Sequence, residues 1–205
     1  PKWSICNGVE WSTRSRCRRR AMPDSLERRL LDAVRGHAVD GRLPAAAWTA
    51  GLGQAEFDAL VLLVGACDPG LPPPPSWPSR SRPALLSPLV ALLWSSREID
   101  DPWTRLMAGT VACAAFGSRH LWQDLGASGR HEVTALLERH FPYVVAANRR
   151  QLKWKHHLFC LLGAELRVPD LRPPHCGDCD ELPVCFPGAP GASGSDPEAD
   201  GTQAK

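Results

Sequence analysis

Apolar residues recur along most of this chain at the three- and four-residue spacing of a helix face, and no stretch alternates with the period of two expected of a strand. The first helix signature opens at Asp24-Ser25-Leu26-Glu27, a D-x-x-E form of the capping box in which Glu27 can reach back to the cap N–H. Leu26, Leu30, Leu31 and Val34 follow at helical spacing, and Gly36 is expected to stop the helix. A second helix is predicted from about Gln54 to Ala66, with Phe57, Leu60, Val61 and Val64 on one face and Cys67 at its end as a small buried hydrophobe. A third runs from about Ser87 to Ser96. A fourth opens at Asp100-Asp101-Pro102, with aspartate as cap and proline in the first turn, and continues to Gly117. His120 to Gly126 reads as a short amphipathic turn of helix. Ser128 reads as the cap of a helix bearing Val133, Leu136, Leu137 and His140, and Pro142 opens the last helix, which is expected to reach about Gly163. The predicted fold is all-α, a domain of about five to seven helices followed by a C-terminal cysteine-rich metal loop.

Proline interrupts the pattern. Residues 69–88 hold eight prolines, Pro72 to Pro75 among them, a density that no helix interior accepts. That stretch is expected to be a linker or surface loop between a helical part over 23–68 and a helical core over 89–165. Residues 166–188 form the cysteine-rich loop, and 189–205, made mostly of Gly, Ala, Ser, Pro, Asp and Glu, read as a disordered tail. Residues 1–22 show no helical period and are read as a basic disordered arm, or as a stretch foreign to the natural protein.

Charge and composition narrow the function. The 205 residues carry a formal net charge of +2 and are 43% hydrophobic. Residues 1–20 set six basic side chains against Glu10 alone, a local +5, so the remaining 185 residues carry −3. That balance excludes a wholly basic nucleic-acid coat, and nucleic acid is an unlikely partner. No apolar run approaches the roughly 20 residues of a membrane span. No apolar stretch follows the N-terminal charges as in a secretion signal, so a cytoplasmic location is expected, where thiols stay reduced and disulfides are a poor account of eight cysteines.

Three of those eight fall within ten residues, as Cys176-x2-Cys179-x5-Cys185. Two thiolates separated by two residues turn their sulfurs to one side of a loop, and Gly177 permits the tight backbone this needs. Structural zinc takes four ligands, for which Cys160 and His175 are the candidates to complete the set, although His175 adjoins Cys176. Thiolates equally suit an iron–sulfur cluster. Spacing leaves both chemistries open. Cys113, in an alanine-rich stretch, reads as core, while Cys6 and Cys17 have no partner spacing.

Taken together in their order, several blocks resemble the NifQ family of nitrogen-fixation proteins. They are His120-Leu-Trp-Gln-Asp-Leu-Gly126, Asn148-x4-Lys153-Trp-Lys155 and the cysteine triplet followed by Phe186. Gly51-Leu-Gly-x2-Glu56-Phe57 and Arg97-Glu-Ile-Asp-Asp101 are weaker blocks, and the resemblance extends over roughly residues 50–188. It implies an iron–sulfur protein that binds molybdenum, in a molybdenum–iron–sulfur cluster, and donates it for nitrogenase iron–molybdenum cofactor assembly, a metal carrier rather than an enzyme. The implied partners are the cofactor-assembly scaffold, the nitrogenase iron protein and molybdate or another molybdenum source. The family pattern C-x4-C-x2-C-x5-C places its first cysteine at position 171, which is Leu171 here. Cys160 approximately matches a cysteine that the family tends to carry at the end of its Lys-Trp-Lys helix.

The alternatives from residues alone are a zinc-stabilised helical interaction module and a small iron–sulfur electron carrier. His120 and Asp124, four apart on one helical turn, read either as contacts to the metal centre or as a pair that fixes the helix in the core. Arg149, Arg150, Lys153, Lys155, His156 and His157 form a cationic stretch, expected late in the last helix, where cations suit the helix dipole. Lys153 and Lys155 are also candidates to contact molybdate, a dianion.

Overall fold

A computed structural model describes residues 25–64, 82–176 and 182–185. The expected basic arm, Cys67, most of the proline-rich stretch, Cys179 and the tail lie outside the described residues. Among the described residues the protein is helical, with no strand. The helices are α1 (Ser25–Val39), α2 (Gln54–Leu63), α3 (Leu86–Ser95), α4 (Pro102–Ala114), α5 (Leu121–Asp124), α6 (Arg130–His140), α7 (Pro142–Ala147), α8 (Trp154–Leu166) and α9 (Leu182–Cys185), with a 3₁₀ turn at Ala45–Thr49.

These are more helices than the five to seven expected, and the differences have local causes. Helix α1 passes through Gly36 and ends at Val39, because Gly36 meets no crowding and the left-handed residue that turns the chain is Gly41 (φ 73°). Ser128 is not the side-chain cap of α6. Its backbone N–H donates to Glu132 Oε2 at 2.8 Å, and Gly129 occupies the cap position. Helix α4 behaves as its sequence predicts at its start: Asp101 Oδ1 accepts the Thr104 N–H at 2.9 Å, and Pro102 sits in the first turn. The predicted last helix is two, α7 and α8, separated by residues 148–153.

One buried apolar cluster joins α1, α3, α4, α6 and α8, through residues such as Leu30, Leu89, Met107, Leu136 and Phe159. Helix α4 is the axis of the packing: Leu106 to Ala115 is an unbroken buried run. Cys113 lies in that run, and burial pushes its thiol up to about 12, which makes it an inert hydrophobe. Residues 82–85 already belong to this body. Arg82 donates to the Gly51 carbonyl at 2.6 Å, and Leu86 is fully buried.

The predicted cap, Asp24, lies outside the described residues, and Glu27 is seen through its own carboxylate. It is buried, with Oε1 accepting from His140 Nε2 at 3.1 Å and from Arg139 at 3.0 Å. On its other side His140 Nδ1 is hydrogen-bonded to the Thr104 hydroxyl at 2.9 Å. This chain of polar contacts ties α1 to α6 and α4 through the core. Burial pushes the Glu27 carboxyl up, but the His140 hydrogen bond, its own backbone N–H and the Arg139 charge outweigh burial and hold it below its ordinary value of 4.5. Glu132 is held lower still, at about 2, by two 2.8 Å hydrogen bonds from Arg29 and by the Ser128 N–H.

Both carboxyls have a folded-state pKa below the unfolded one. Their contribution is therefore complete above about pH 4.5 and is lost as pH falls through the folded values. Urea denaturation at a series of pH values is expected to give constant stability from pH 7 to about 5 from these groups, and then a decline toward pH 2. Glu132→Gln is expected to flatten the lower part of that decline; an unchanged slope between pH 4 and 2 counts against the assignment.

Candidate metal centre

The break between α7 and α8 is built by Asn148. Its Oδ1 accepts the Leu152 N–H at 2.8 Å while its Nδ2 donates to the Leu152 carbonyl at 3.0 Å. The loop so closed bends through Gln151, a non-glycine residue in the left-handed region (φ 52°). Arg130 of α6 reaches across to donate to the carbonyls of Leu152 (2.7 Å) and Gln151 (3.2 Å), and its guanidinium lies 5.8 Å from the Trp154 ring. Trp154 Nε1 donates to Thr134 Oγ1 at 3.2 Å. Lys153, at the cap position of α8, and Trp154, Lys155 and His156 of its first turn are thereby fixed against α6. The cationic stretch thus sits at the N-terminal end of a helix, the opposite of the expected placement. His157 is not on a solvated face at all: it is buried and donates to the Val144 carbonyl at 2.9 Å. Burial pulls its imidazole below the usual histidine value, as burial and the neighbouring Arg150 do for His156.

Lys155 joins this end of α8 to the segment that runs into α5. Its ammonium donates to the Gly117 carbonyl at 2.8 Å, to the Arg119 carbonyl and to Asp124 Oδ2 at 2.7 Å. Asp124 is 1% exposed, and its carboxylate also accepts from the Arg119 backbone N–H and side-chain Nε, each at 3.1 Å. Gly117 is required here, because a Cβ at that position would stand 2.2 Å from Asp124 Oδ2. Burial pulls the Lys155 pKa below its ordinary value, the Asp124 carboxylate offsetting only part of that, and three acceptors surround its nitrogen. Asp124 lies beneath the surface on Lys155 and Arg119, while His120 lines the cleft, its backbone N–H donating to Gln123 Oε1 at 3.1 Å.

These pieces enclose a cleft of about 390 Å³. One wall is 117–123, with His120 and Trp122; a second is Lys153 to His156; the third is the returning C-terminal chain, Pro174 to Cys176 and Cys185. Cys176 and Cys185, nine positions apart in sequence, line the same cleft, and Cys176 lies close enough to Lys155 for their charges to interact. Four basic residues, Arg119, Arg130, Lys153 and Lys155, and three histidines, His120, His156 and His175, line it, with no carboxylate among the described lining residues. Among the described residues no three His, Cys, Asp or Glu groups are already gathered as a metal-ion cage.

The remaining predicted ligands fare differently. His175 lines the cleft, held in the left-handed region (φ 64°) beside Cys176. Cys160 is exposed on α8, one turn beyond His156, and is not part of the cleft lining. Leu171, at the position where the resemblance expects a cysteine, is half-buried against the core. Its Cβ would stand 3.0 Å from a Cβ added at Gly163, so position 171 packs down on α8. Arg119 and Arg130 were not among the sequence-derived candidates. Arg130 acts on carbonyls 21 and 22 residues away, a relation that no local spacing encodes. Asn148→Ala removes two buried-loop hydrogen bonds at about 1 kcal/mol each, so a loss of about 2 kcal/mol in urea denaturation is expected. A loss under a few tenths of a kcal/mol means the loop is held by other contacts.

A family model described as NifQ matches residues 31–187, a span that holds every wall of the cleft. The NifQ protein of Azotobacter vinelandii is 35% identical over 98 residues, covering 48% of this chain and 50% of that one. The NifQ protein of Rhodobacter capsulatus is 30% identical over 95 residues, covering 46% and 52%. The NifQ homolog of Sinorhizobium fredii is 33% identical over 107 residues, covering 52% and 46%. The chain thus spans about half the length of the curated relatives it matches. No solved structure matches it. With most of its length inside the family match, the chain belongs to the NifQ family.

Proposed function

We propose that this protein is an iron–sulfur protein that carries molybdenum and donates it for assembly of the nitrogenase iron–molybdenum cofactor. In this reading it is a cytoplasmic carrier and not an enzyme. Its partners are the cofactor-assembly scaffold and the nitrogenase iron protein, and molybdate or a related species is the source of the cargo. Cys176, Cys179 and Cys185 are the proposed thiolate ligands, with Cys179 outside the described residues. Cys160 and His175 remain the proposed fourth-ligand candidates, and of the two only His175 lines the cleft.

The observation that carries the reading is the pairing of two thiols with a basic cleft. Cys176 and Cys185 share a lining that holds four basic side chains and no carboxylate among the described residues. The donor set fits the group: thiolates are the usual ligands of iron–sulfur clusters, and a thiolate-bound cluster is anionic and is stabilised by surrounding cations. An iron–sulfur centre bound there would supply the sulfide ligands that retain molybdenum as cargo. The protein's own part is to hold the two cysteine-bearing segments against the wall built on Lys155 and Asp124. The three protons of Lys155 have acceptors within the chain, and His120, Asp124, Lys153 and Lys155 are kept as the proposed contacts to molybdate or supports of the centre.

Anaerobic purification of the full chain with metal and sulfide analysis tests this. Iron and acid-labile sulfide with a brown visible absorption are expected, with molybdenum present alongside the iron. Molybdenum and iron are both expected to be lost in Cys176→Ala and in Cys185→Ala. A colourless protein with zinc as its sole metal would overturn the proposal in favour of a zinc-stabilised module. Iron and sulfide that never retain molybdenum under any loading condition would leave an electron carrier instead.

A further inference from the structure

The cleft wall contains a charge arrangement that packing alone does not require. Asp124 is one carboxylate shared by two cations, Lys155 at 2.7 Å and Arg119 at 3.1 Å. The triad therefore carries a surplus of one positive charge. Its side chains differ in exposure: Asp124 1%, Lys155 12% and Arg119 38%. The carboxylate is at the bottom and the two cations are nearer the cleft, which they line while Asp124 does not. Cys176 stands close enough to the Lys155 ammonium for the two charges to interact. The wall cannot reorient easily. Lys155 is bonded to the carbonyls of Gly117 and Arg119, and Gly117 is pressed against the carboxylate. A fixed dipole with its positive end toward the thiolates results.

We propose that the Lys155–Asp124–Arg119 triad is the built-in counter-charge of the metal centre and sets its reduction potential. Reduction adds negative charge to a thiolate-bound cluster, and a fixed cation beside it favours the reduced form. The cation therefore raises the potential, and the carboxylate behind it lowers the potential. Because the effect follows the charge and its distance, each member of the triad has a predicted sign. This rests on the proposed iron–sulfur function and concerns positioning residues, not additional ligands.

The test is a potentiometric titration, followed by electron paramagnetic resonance, of the anaerobically purified full chain. Lys155→Met and Arg119→Met are expected to shift the midpoint to more negative values. Asp124→Asn is expected to shift it to more positive values, and Lys155→Arg to leave it near that of the unsubstituted protein. A purely structural wall moves no midpoint, or moves those of Lys155→Met and Asp124→Asn in the same direction; either result overturns the proposal. Removing one partner of a buried ion pair leaves the other charge uncompensated, so the Lys155 and Asp124 variants can fail to hold the centre. Arg119→Met then decides, since its partly exposed side chain makes it the mildest change: a negative shift supports the proposal and an unchanged midpoint overturns it. An unsubstituted protein that holds no iron–sulfur centre overturns the functional reading and this inference together, whereas a centre whose midpoint ignores all four substitutions overturns this inference alone.

Discussion

The Lys155 ammonium directs its three protons to acceptors within a single stretch of chain, Gly117, Arg119 and Asp124, which lies 31 to 38 residues away in sequence. The wall around the cleft depends on that bond set. It holds the turn after α4 against the start of α8, and it gives the buried Asp124 carboxylate a partner it needs inside the protein. It also explains why Gly117 stands where it does, since any Cβ there would occupy the space of the carboxylate. A second bond secures the same region from behind, between the Asp124 carbonyl and His37 Nδ1 of α1 at 2.9 Å. The short α5 is thus fastened on both sides, which a four-residue helix cannot achieve by its own hydrogen bonds.

Much of the helical fold was legible in the sequence because apolar spacing records burial directly. Helices α2, α3, α4 and α6 lie where Phe57, Leu89, Leu106 and Leu136 place them. What spacing cannot record is a backbone redirected by a polar side chain. Val145, Leu152 and Phe159, spaced by seven, fit one helix face, yet Asn148 pairs with both backbone groups of Leu152 and ends that helix inside the run. The break has a functional consequence: an unbroken helix would hold the basic stretch near its C-terminus, where cations are solvated and favourable, whereas the first turn of α8 sets Lys153, Lys155 and His156 along a cleft. Glu27 shows the same limit in the opposite direction. Its position three residues after Asp24 fits a cap, and nothing local signals that the carboxylate also meets His140 and Arg139 in the core, 113 and 112 residues further along.

For the cysteines, local context separated the roles in part. Cys113 in an alanine-rich stretch is fully buried, and its raised thiol is chemically quiet. Cys176 and Cys185, in a segment with no apolar period, face a common cleft. Cys160 could not be placed from the sequence because the path from α8 to Cys176 was unreadable. Three non-glycine residues along it, Arg167, Asp170 and His175, adopt left-handed backbone, and no periodicity predicts such turns. Leu171 lies on that path and packs over Gly163. At that position the side chain contributes apolar contact to the root of the loop.

Charge is where the reading of the whole chain and the reading of the site diverge most. A net charge of +2 over 205 residues, or −3 outside the first 20, gives no hint of a basic cleft. The structure produces one by segregation. Glu56 is paired with Arg105, Glu132 with Arg29, Asp100 with Arg97 and Glu27 with Arg139, all outside the cleft lining. The carboxylate nearest the cleft, Asp124, is shared between two cations beneath its surface. Such pairs contribute little to stability when exposed, and their larger effect is on where the unpaired sign of charge is left. With these described acids engaged elsewhere, the described lining beside Cys176 and Cys185 is left with basic side chains and no carboxylate.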